Sequence, residues 1–246
     1  MSSVSSERGK IVSEYLEFFQ LLSRNRREEE IMNAVIIDGP VGVGKTSLMD
    51  ILIEEFGYKP FLEPVTDNPL LDKFYYNRKR YSFPLQIFFL NRRFAILKEA
   101  AKIDGSVMDR SIYGDVIFAK MLCEGGDMEK EEYALYKELL ANMLEHVQPP
   151  KLMIYLETSV DCEIKKIKKR GRDYEQIVER EYWEKLNNEY QEYFGYYNVS
   201  PLLKINTDNI DFVNNEEDRK YIINLIKEKL KEIDKLSYNQ ELVAAE

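Results

Sequence analysis

The chain reads as an α/β fold, one parallel sheet covered by helices on both faces, and three observations predict it. Short apolar strands alternate along the chain with longer stretches of helical periodicity, the pattern of strand–helix–strand units. The octapeptide GPVGVGKT, Gly39 to Thr46, follows one of those strands and opens one of those helices, where a phosphate-binding loop must sit. A length of 246 residues, without internal repeat or low-complexity linker, suffices for one well-buried domain with at most an appendage.

The first strand is expected over residues 33–38, where Ala34-Val35-Ile36-Ile37 is apolar up to Asp38. After the loop, Leu48, Met49, Ile51, Leu52 and Ile53 recur at helical spacing. Further strands are expected at 59–62, 105–109, 151–156 and 202–206. Between them the sequence predicts a helix starting at Asn68-Pro69, with asparagine as cap and proline in the first turn, and a long helix from Pro84 to Ala101. Other helices are expected from Ser111 to Cys123, Asp127 to His146, Ser159 to Arg170 and about Val178 to Phe194; a last one, roughly Asn215 to Leu236, closes the fold. Residues 1–30 stand apart as a helical extension to a main domain of residues 31–246. In the extension, Ile11, Tyr15, Phe18, Phe19 and Leu22 make one apolar helical face, expected to pack on the protein's own domain, ahead of the charged stretch Arg24 to Glu30.

Composition narrows the function. A net charge of −9 argues against a nucleic-acid-binding surface. No apolar run is long enough to span a bilayer, MSSVSSERGK lacks the apolar core of a signal peptide, and Glu7, Glu14 and Glu17 argue against a transit segment. A cytoplasmic enzyme with no membrane partner is therefore expected. Cys123 and Cys162 show no metal-ligand spacing and read as reduced structural thiols. His146, the one histidine, reads as a satisfied structural residue at a helix end, which leaves no basis for histidine catalysis or a zinc site.

The chemistry begins at the loop. Gly39, Gly42 and Gly44 let backbone N–H groups face phosphate oxygens, and the helix N-terminus adds partial positive charge. With Val43, Lys45 and Thr46 they form the candidate ATP site, Lys45 reaching the outer phosphates and Thr46 ligating magnesium. Glu63 follows the second strand at the same sheet edge, where a carboxylate can take a proton from an acceptor hydroxyl. Asp109-Arg110-Ser111 ends the third strand there too, offering a second carboxylate to magnesium and a guanidinium to a phosphoryl group. An aspartate so placed can equally be a helix cap.

Gln86 and Arg93, seven residues apart on one predicted helix, project from nearly the same face, with Phe89 and Leu90 between them and Arg92 turned away. An amide, an aromatic ring and a guanidinium on one stripe suit a planar polar heterocycle. Asp115 can pair with Arg93 and accept from an exocyclic amino group, or the two can form an ordinary surface ion pair. Finally, the basic run Lys165 to Arg172 breaks at Gly171, so that Arg170 and Arg172 flank a hinge able to close over a triphosphate; the alternative is a solvated basic face.

These stretches, GPVGVGKT, LEPVTDNPLLDKFYYN, FPLQIFFLNRRF, MDRSIYGDVIFAKM, KKIKKRGRDYE and EREYWEKLNNEY, resemble in order and spacing the bacterial-type deoxynucleoside kinases of the deoxyadenosine, deoxyguanosine and deoxycytidine branch, over roughly residues 33–235. The resemblance implies a three-layer P-loop kinase fold with a five-stranded parallel sheet and a short Arg-rich lid. It implies that Glu63 is the general base toward the sugar 5′-hydroxyl, that Thr46 and Asp109 serve Mg2+, and that Arg110, Arg170 and Arg172 act on the transferring phosphoryl group. Tyr75 and Glu175 match the family's pair for the deoxyribose 3′-hydroxyl; Gln86, Arg93 and Asp115 match its base-reading trio, and Phe118 its stacking aromatic. Lys166 stands where many relatives carry a lid arginine. A homodimer built on helices near 84–100 and 128–145, through Leu135, Leu139, Met143 and Leu144, is also implied.

Arg93 as donor and Asp115 as acceptor suit the adjacent ring acceptor and amino donor of adenine and cytosine. The reaction expected is therefore ATP-dependent phosphorylation of a 2′-deoxynucleoside, deoxyadenosine first, with deoxycytidine or deoxyguanosine as further substrates. Two other readings are a thymidylate-type monophosphate kinase, against which Glu63 speaks, and a non-catalytic nucleotide-binding switch, which leaves the Gln86, Arg93 and Asp115 cluster unexplained.

Overall fold

Alternate residues of β1 (Met32–Asp38) point to opposite sides of a sheet, and both sides are apolar: Ala34 and Ile36 enter one core, Val35 and Ile37 the other. The computed structural model describes residues 14–22, 32–62, 68–171 and 178–244. β2 (Lys59–Phe61), β3 (Ser106–Asp109), β4 (Pro150–Glu157) and β5 (Leu202–Asn206) join β1 in a five-stranded parallel sheet of order β2-β3-β1-β4-β5. Each strand lies within one residue, at either end, of the sequence expectation.

One face of the sheet carries α2 (Lys45–Phe56) and α9 (Glu216–Ala244). The other carries α4 (Arg78–Ala100), α5 (Asp115–Glu124), α6 (Lys130–Leu144) and α8 (Arg180–Tyr196), with α1 (residues 14–22) against them. The short α3 (Leu71–Tyr76) precedes α4, and α7 (Val160–Arg170) follows β4. No helix among the described residues is long and apolar enough to cross a membrane.

Several helix starts differ from expectation. Asn68 does not cap a helix: its Oδ1 accepts from Leu70 N at 2.9 Å, closing a turn, and α3 starts at Leu71. α4 starts at Arg78, six residues before Pro84, with Asn77 as the cap that accepts from Arg80 N at 3.2 Å. Pro84 lies inside the helix on an exposed side, where a missing backbone bond costs least. α5 starts at Asp115, because residues 111–114 form a turn organised by the Ser111 hydroxyl. α6 is shorter than expected, entered through a capping box of Glu129 and Glu132, and His146 lies beyond its end, exposed rather than packed. Cys123 and Cys162 are half-buried free thiols.

The apolar face of the N-terminal extension packs onto its own chain, as its spacing predicts. Tyr15, Phe18 and Phe19 are buried and Leu22 half-buried; Ile11 lies outside the described residues. Tyr15 and Phe19 meet Tyr193 with ring centroids 5.3 and 5.0 Å apart. Each such ring removed from water contributes about 2 kcal/mol. Beneath them Lys120 Nζ on α5 and the Tyr15 hydroxyl both donate to Glu189 Oε2 on α8, each at 2.6 Å.

Candidate active site

The loops after β1 and β3 leave the sheet side by side, since both strands are parallel and Ile37 pairs with Asp109. Asp38, the last residue of β1 and only 1% exposed, joins them. Its Oδ1 accepts from Gly39 N at 2.7 Å, and its Oδ2 accepts from Ser111 N at 3.1 Å and from the Ser111 hydroxyl. Ser111 Oγ in turn accepts from Gly114 N at 2.8 Å. Residue 114 is glycine because a β-carbon there would stand 2.6 Å from Asp38 Oδ2. Between these anchors Arg110 takes φ +70°, the one non-glycine residue with positive φ among those described; such a conformation costs about 1–3 kcal/mol and persists where the surroundings impose it.

A cavity of about 830 Å³ opens at this sheet edge. One end is walled by Gly42, Gly44, Lys45 and Thr46 of the loop. Lys45 Nζ donates to the Gly39 and Pro40 carbonyls, each at 2.8 Å, which holds the ammonium over the loop. Gly39 and the buried Val43 do not line the cavity; the Val43 side chain belongs to the core under α2 and α9. Asp109 and Arg110 also line the cavity, Asp109 against Thr46 and Arg110 over Phe118. Asp109 Oδ2 accepts from Thr46 Oγ1 at 2.7 Å, while its Oδ1 is buried without a hydrogen-bond partner among the described residues. A carboxylate and a hydroxyl in contact, with one buried oxygen unsatisfied, form an all-oxygen donor pair that fits a hard divalent cation such as Mg2+.

The far end holds Gln86, Phe89 and Arg93 of α4, Asp115 and Phe118 of α5, and Tyr75 of α3. The Arg93–Asp115 pair is not on the surface: Nη1 and Oδ1 are 2.5 Å apart, with the side chains 6% and 4% exposed. Burial raises the Asp115 pKa to about 6, even though Arg93 pulls it down. Asp115 Oδ2 has no hydrogen-bond partner among the described residues, so an acceptor is available at the cavity wall. Arg93 also lies over Phe89 at 5.0 Å, and Gln86 is buried beside them, whereas Arg92 is exposed over Phe88 and Leu90 goes into the core. Phe118 takes the Arg110 guanidinium at 4.9 Å on its face and Tyr190 edge-on at 6.2 Å; Tyr190 Oη accepts from Arg110 Nη1 at 3.3 Å.

The roof is α7. It is capped by Ser159, acidic in its first turn and basic in its last, in accord with the helix dipole, and it ends at Gly171 as expected. It packs so closely on the loop that a β-carbon at Gly42 would come within 3.0 Å of Ile167 Cγ1. Lys166 and Arg170 line the cavity, and Lys166 Nζ donates to Thr207 Oγ1 at 3.0 Å while burial lowers its pKa. Glu63, Arg172 and Glu175 lie outside the described residues. Sequence reasoning missed Asp38, Ser111 and Tyr190. The available signal for the first was a charged residue closing an otherwise apolar strand directly before a glycine.

It also missed Glu163, on the inner face of α7. This carboxylate is fully buried; its Oε2 accepts from Asn187 Nδ2 at 2.9 Å and its Oε1 has no hydrogen-bond partner among the described residues. Burial raises its pKa to about 7, partly offset by Asn187 and by the Lys45 charge.

The chain is similar to known proteins in sequence and in fold. The family model described as deoxynucleoside kinase matches residues 35–231. Among curated proteins, a deoxyguanosine kinase of Lactobacillus johnsonii is 41% identical over 213 residues, 83% of this chain and 95% of that one. A deoxyadenosine kinase of Lactobacillus acidophilus is 39% identical over 215 residues, 84% of this chain and the whole of that one. Among solved structures, the deoxyadenosine kinase of M. mycoides with bound dATP superposes with a TM-score of 0.70 at 31% identity, covering 79% of this chain and 99% of that one.

Glu163 makes stability depend on pH. A carboxyl whose pKa is about 7 when folded and 4.5 in the ordinary case holds its proton more tightly in the folded state, so stability falls as pH rises between those values. The Glu163→Gln variant lacks that loss. Its unfolding free energy should gain on the wild type by about 1–3 kcal/mol between about pH 5 and about pH 8 in urea titrations. Parallel pH profiles for the two proteins would show that Glu163 titrates as an exposed carboxylate does.

Proposed function

The chain belongs to the deoxynucleoside kinase family, and from that premise we propose that it transfers the γ-phosphoryl group of ATP to the 5′-hydroxyl of a 2′-deoxynucleoside, deoxyadenosine first, with deoxycytidine or deoxyguanosine also accepted. The observation that carries this reading is the single cavity in which the loop of Lys45 and Thr46 and the buried Arg93–Asp115 pair are two ends of one space. A donor triphosphate and a planar amino-bearing base fit those ends, and Asp109 and Arg110 line the same space.

In this reading the loop amides and Lys45 hold the donor phosphates. Mg2+ would be held by Thr46 and Asp109 together with phosphate oxygens, and when bound it neutralises charge between the phosphates. Glu63 takes the 5′-hydroxyl proton as the new O–P bond forms and the bond to the departing diphosphate breaks, so the proton ends on the carboxylate and the electron pair on ADP. Arg110, held by Tyr190 and Phe118, meets the reacting phosphoryl group; Arg170 and Arg172 close on it from α7 and the chain beyond. Tyr75 and Glu175 hold the 3′-hydroxyl, Phe118 stacks on the base, and Gln86, Arg93 and Asp115 read its edge. Two copies associate through α4 and α6, where Leu135 is 54% exposed and Leu139 and Met143 are half-buried.

Three measurements test this reading. Glu63→Gln keeps the fold and ATP binding but loses about a hundred- to ten-thousandfold in turnover, because an amide cannot accept the proton; near-normal turnover removes Glu63 from the mechanism. Specificity constants for the four deoxynucleosides should place deoxyadenosine first in the wild type. Truncating Arg93 or Asp115 singly should cost about 3–5 kcal/mol each, the double variant losing less than their sum and moving toward thymidine. Additive losses with an unchanged substrate order would mark the pair as structural only. Sedimentation at micromolar concentration should give a dimer, and a strictly monomeric species would overturn the association through α4 and α6.

A further inference from the structure

The family match begins at residue 35, so α1 is packed onto a core that the match covers without it. What α1 brings is more than apolar surface. Tyr15 is 1% exposed, and its hydroxyl meets the same oxygen of Glu189 that receives the Lys120 ammonium. Lys120 Nζ lies 4.6 Å from the Tyr15 ring centroid, so the tyrosine contacts both members of a buried ion pair. The pair links α5 to α8, and a second link outside it joins Glu124 of α5 to Lys185 of α8 at 2.8 Å.

α5 carries cavity groups next to this link, and α8 carries Tyr190, which holds the cavity-lining Arg110. Phe118 and Asp115 lie within five residues of Lys120 on α5, and Tyr190 directly follows Glu189 on α8. Tyr190 holds Arg110 by a hydrogen bond and meets Phe118 edge-on, so the separation of α5 and α8 at the Lys120–Glu189 level sets where Phe118 and Arg110 stand. The donor-phosphate end rests instead on β1, α2 and α7.

We propose that Tyr15 is a positioning residue for the nucleoside end of the cavity: its hydroxyl completes the Lys120–Glu189 pair and so fixes the distance between the helix that bears Asp115 and Phe118 and the helix that bears Tyr190. The inference rests on the assignment of that end to the deoxynucleoside. It separates the binding of the two substrates, because a defect at the α5–α8 contact reaches the nucleoside end and the Arg110 side chain while the loop that holds the donor phosphates stays in place.

The test uses the full chain in three forms: wild type, Tyr15→Phe, which keeps the ring against Tyr193 and removes only the hydroxyl, and Phe18→Ala, which thins the α1 packing without touching the ion pair. Tyr15→Phe should raise KM for the preferred deoxynucleoside about five- to tenfold and leave KM for ATP within about twofold, the loss of one buried hydrogen bond to a charged group being read at that site. Phe18→Ala should lower Tm at least as much while leaving both constants near wild type. Tyr15→Phe constants within about twofold of wild type, or equal rises in both KM values, would overturn the proposal. Should Tyr15→Phe fail to fold, Glu189→Gln, which weakens the pair that the Tyr15 hydroxyl completes, reads the same coupling through the same two constants, and an unchanged deoxynucleoside KM there overturns it as well. A wild type that phosphorylates no deoxynucleoside would overturn the functional reading itself, a result distinct from any of these.

Discussion

One buried carboxylate organises this site. Asp38 accepts from the first amide of the phosphate loop and from both donors of Ser111, so the two loops that leave the central strands cannot move independently. The distances at the loop end of the cavity depend on that junction. Thr46 reaches Asp109 because the helix behind the loop and the end of β3 are held in one register, and Arg110 is forced to positive φ because its neighbours on both sides are pinned to β1. Leaving a buried carboxylate without its donors is costly, which makes the arrangement close to all-or-none.

The opposite end of the cavity follows a different rule. There a cation and an anion are both removed from water and matched to each other, and the match is incomplete: Asp115 keeps one oxygen without a partner among the described residues. A buried ion pair adds little stability of its own, since desolvation offsets much of the attraction. In the proposed function its value lies in discrimination, because a ligand that presents the wrong group to that oxygen would leave the buried charge unsatisfied.

Much of this was legible in the linear sequence, and the reasons are physical. Strands of a parallel sheet are buried on both faces, so they stand out as apolar runs, and the phosphate loop combines short-range glycine spacing with a strand before and a helix after it. Helix starts were less legible where local signals competed. Pro84 resembles a first-turn proline, yet Asn77 supplies the cap; Ser111 resembles a helix cap, yet its hydroxyl serves Asp38 and Gly114. Arg93 and Asp115 were found, but their burial was not, because spacing on one helix says nothing about what covers it. Least legible were Glu163 with Asn187 and Lys120 with Glu189, pairs whose members are 24 and 69 residues apart and announce themselves by no motif.

The docking of α1 also has a consequence for the order in which the chain matures. Tyr15 and its acceptor Glu189 are separated by 174 residues, and Tyr193 and Tyr197, which meet the rings of α1, lie further on still. At a synthesis rate of about 5–20 residues per second, Glu189 leaves the ribosome roughly ten to thirty seconds after Tyr15. Through that interval the aromatic face made earliest lacks the helix that will cover it, while β1, β3 and β4 are already available to pair. The N-terminal helix is thus synthesised before β1 to β4 but cannot be covered until after them, and the nascent protein must carry Tyr15, Phe18 and Phe19 without their α8 partners until that helix arrives.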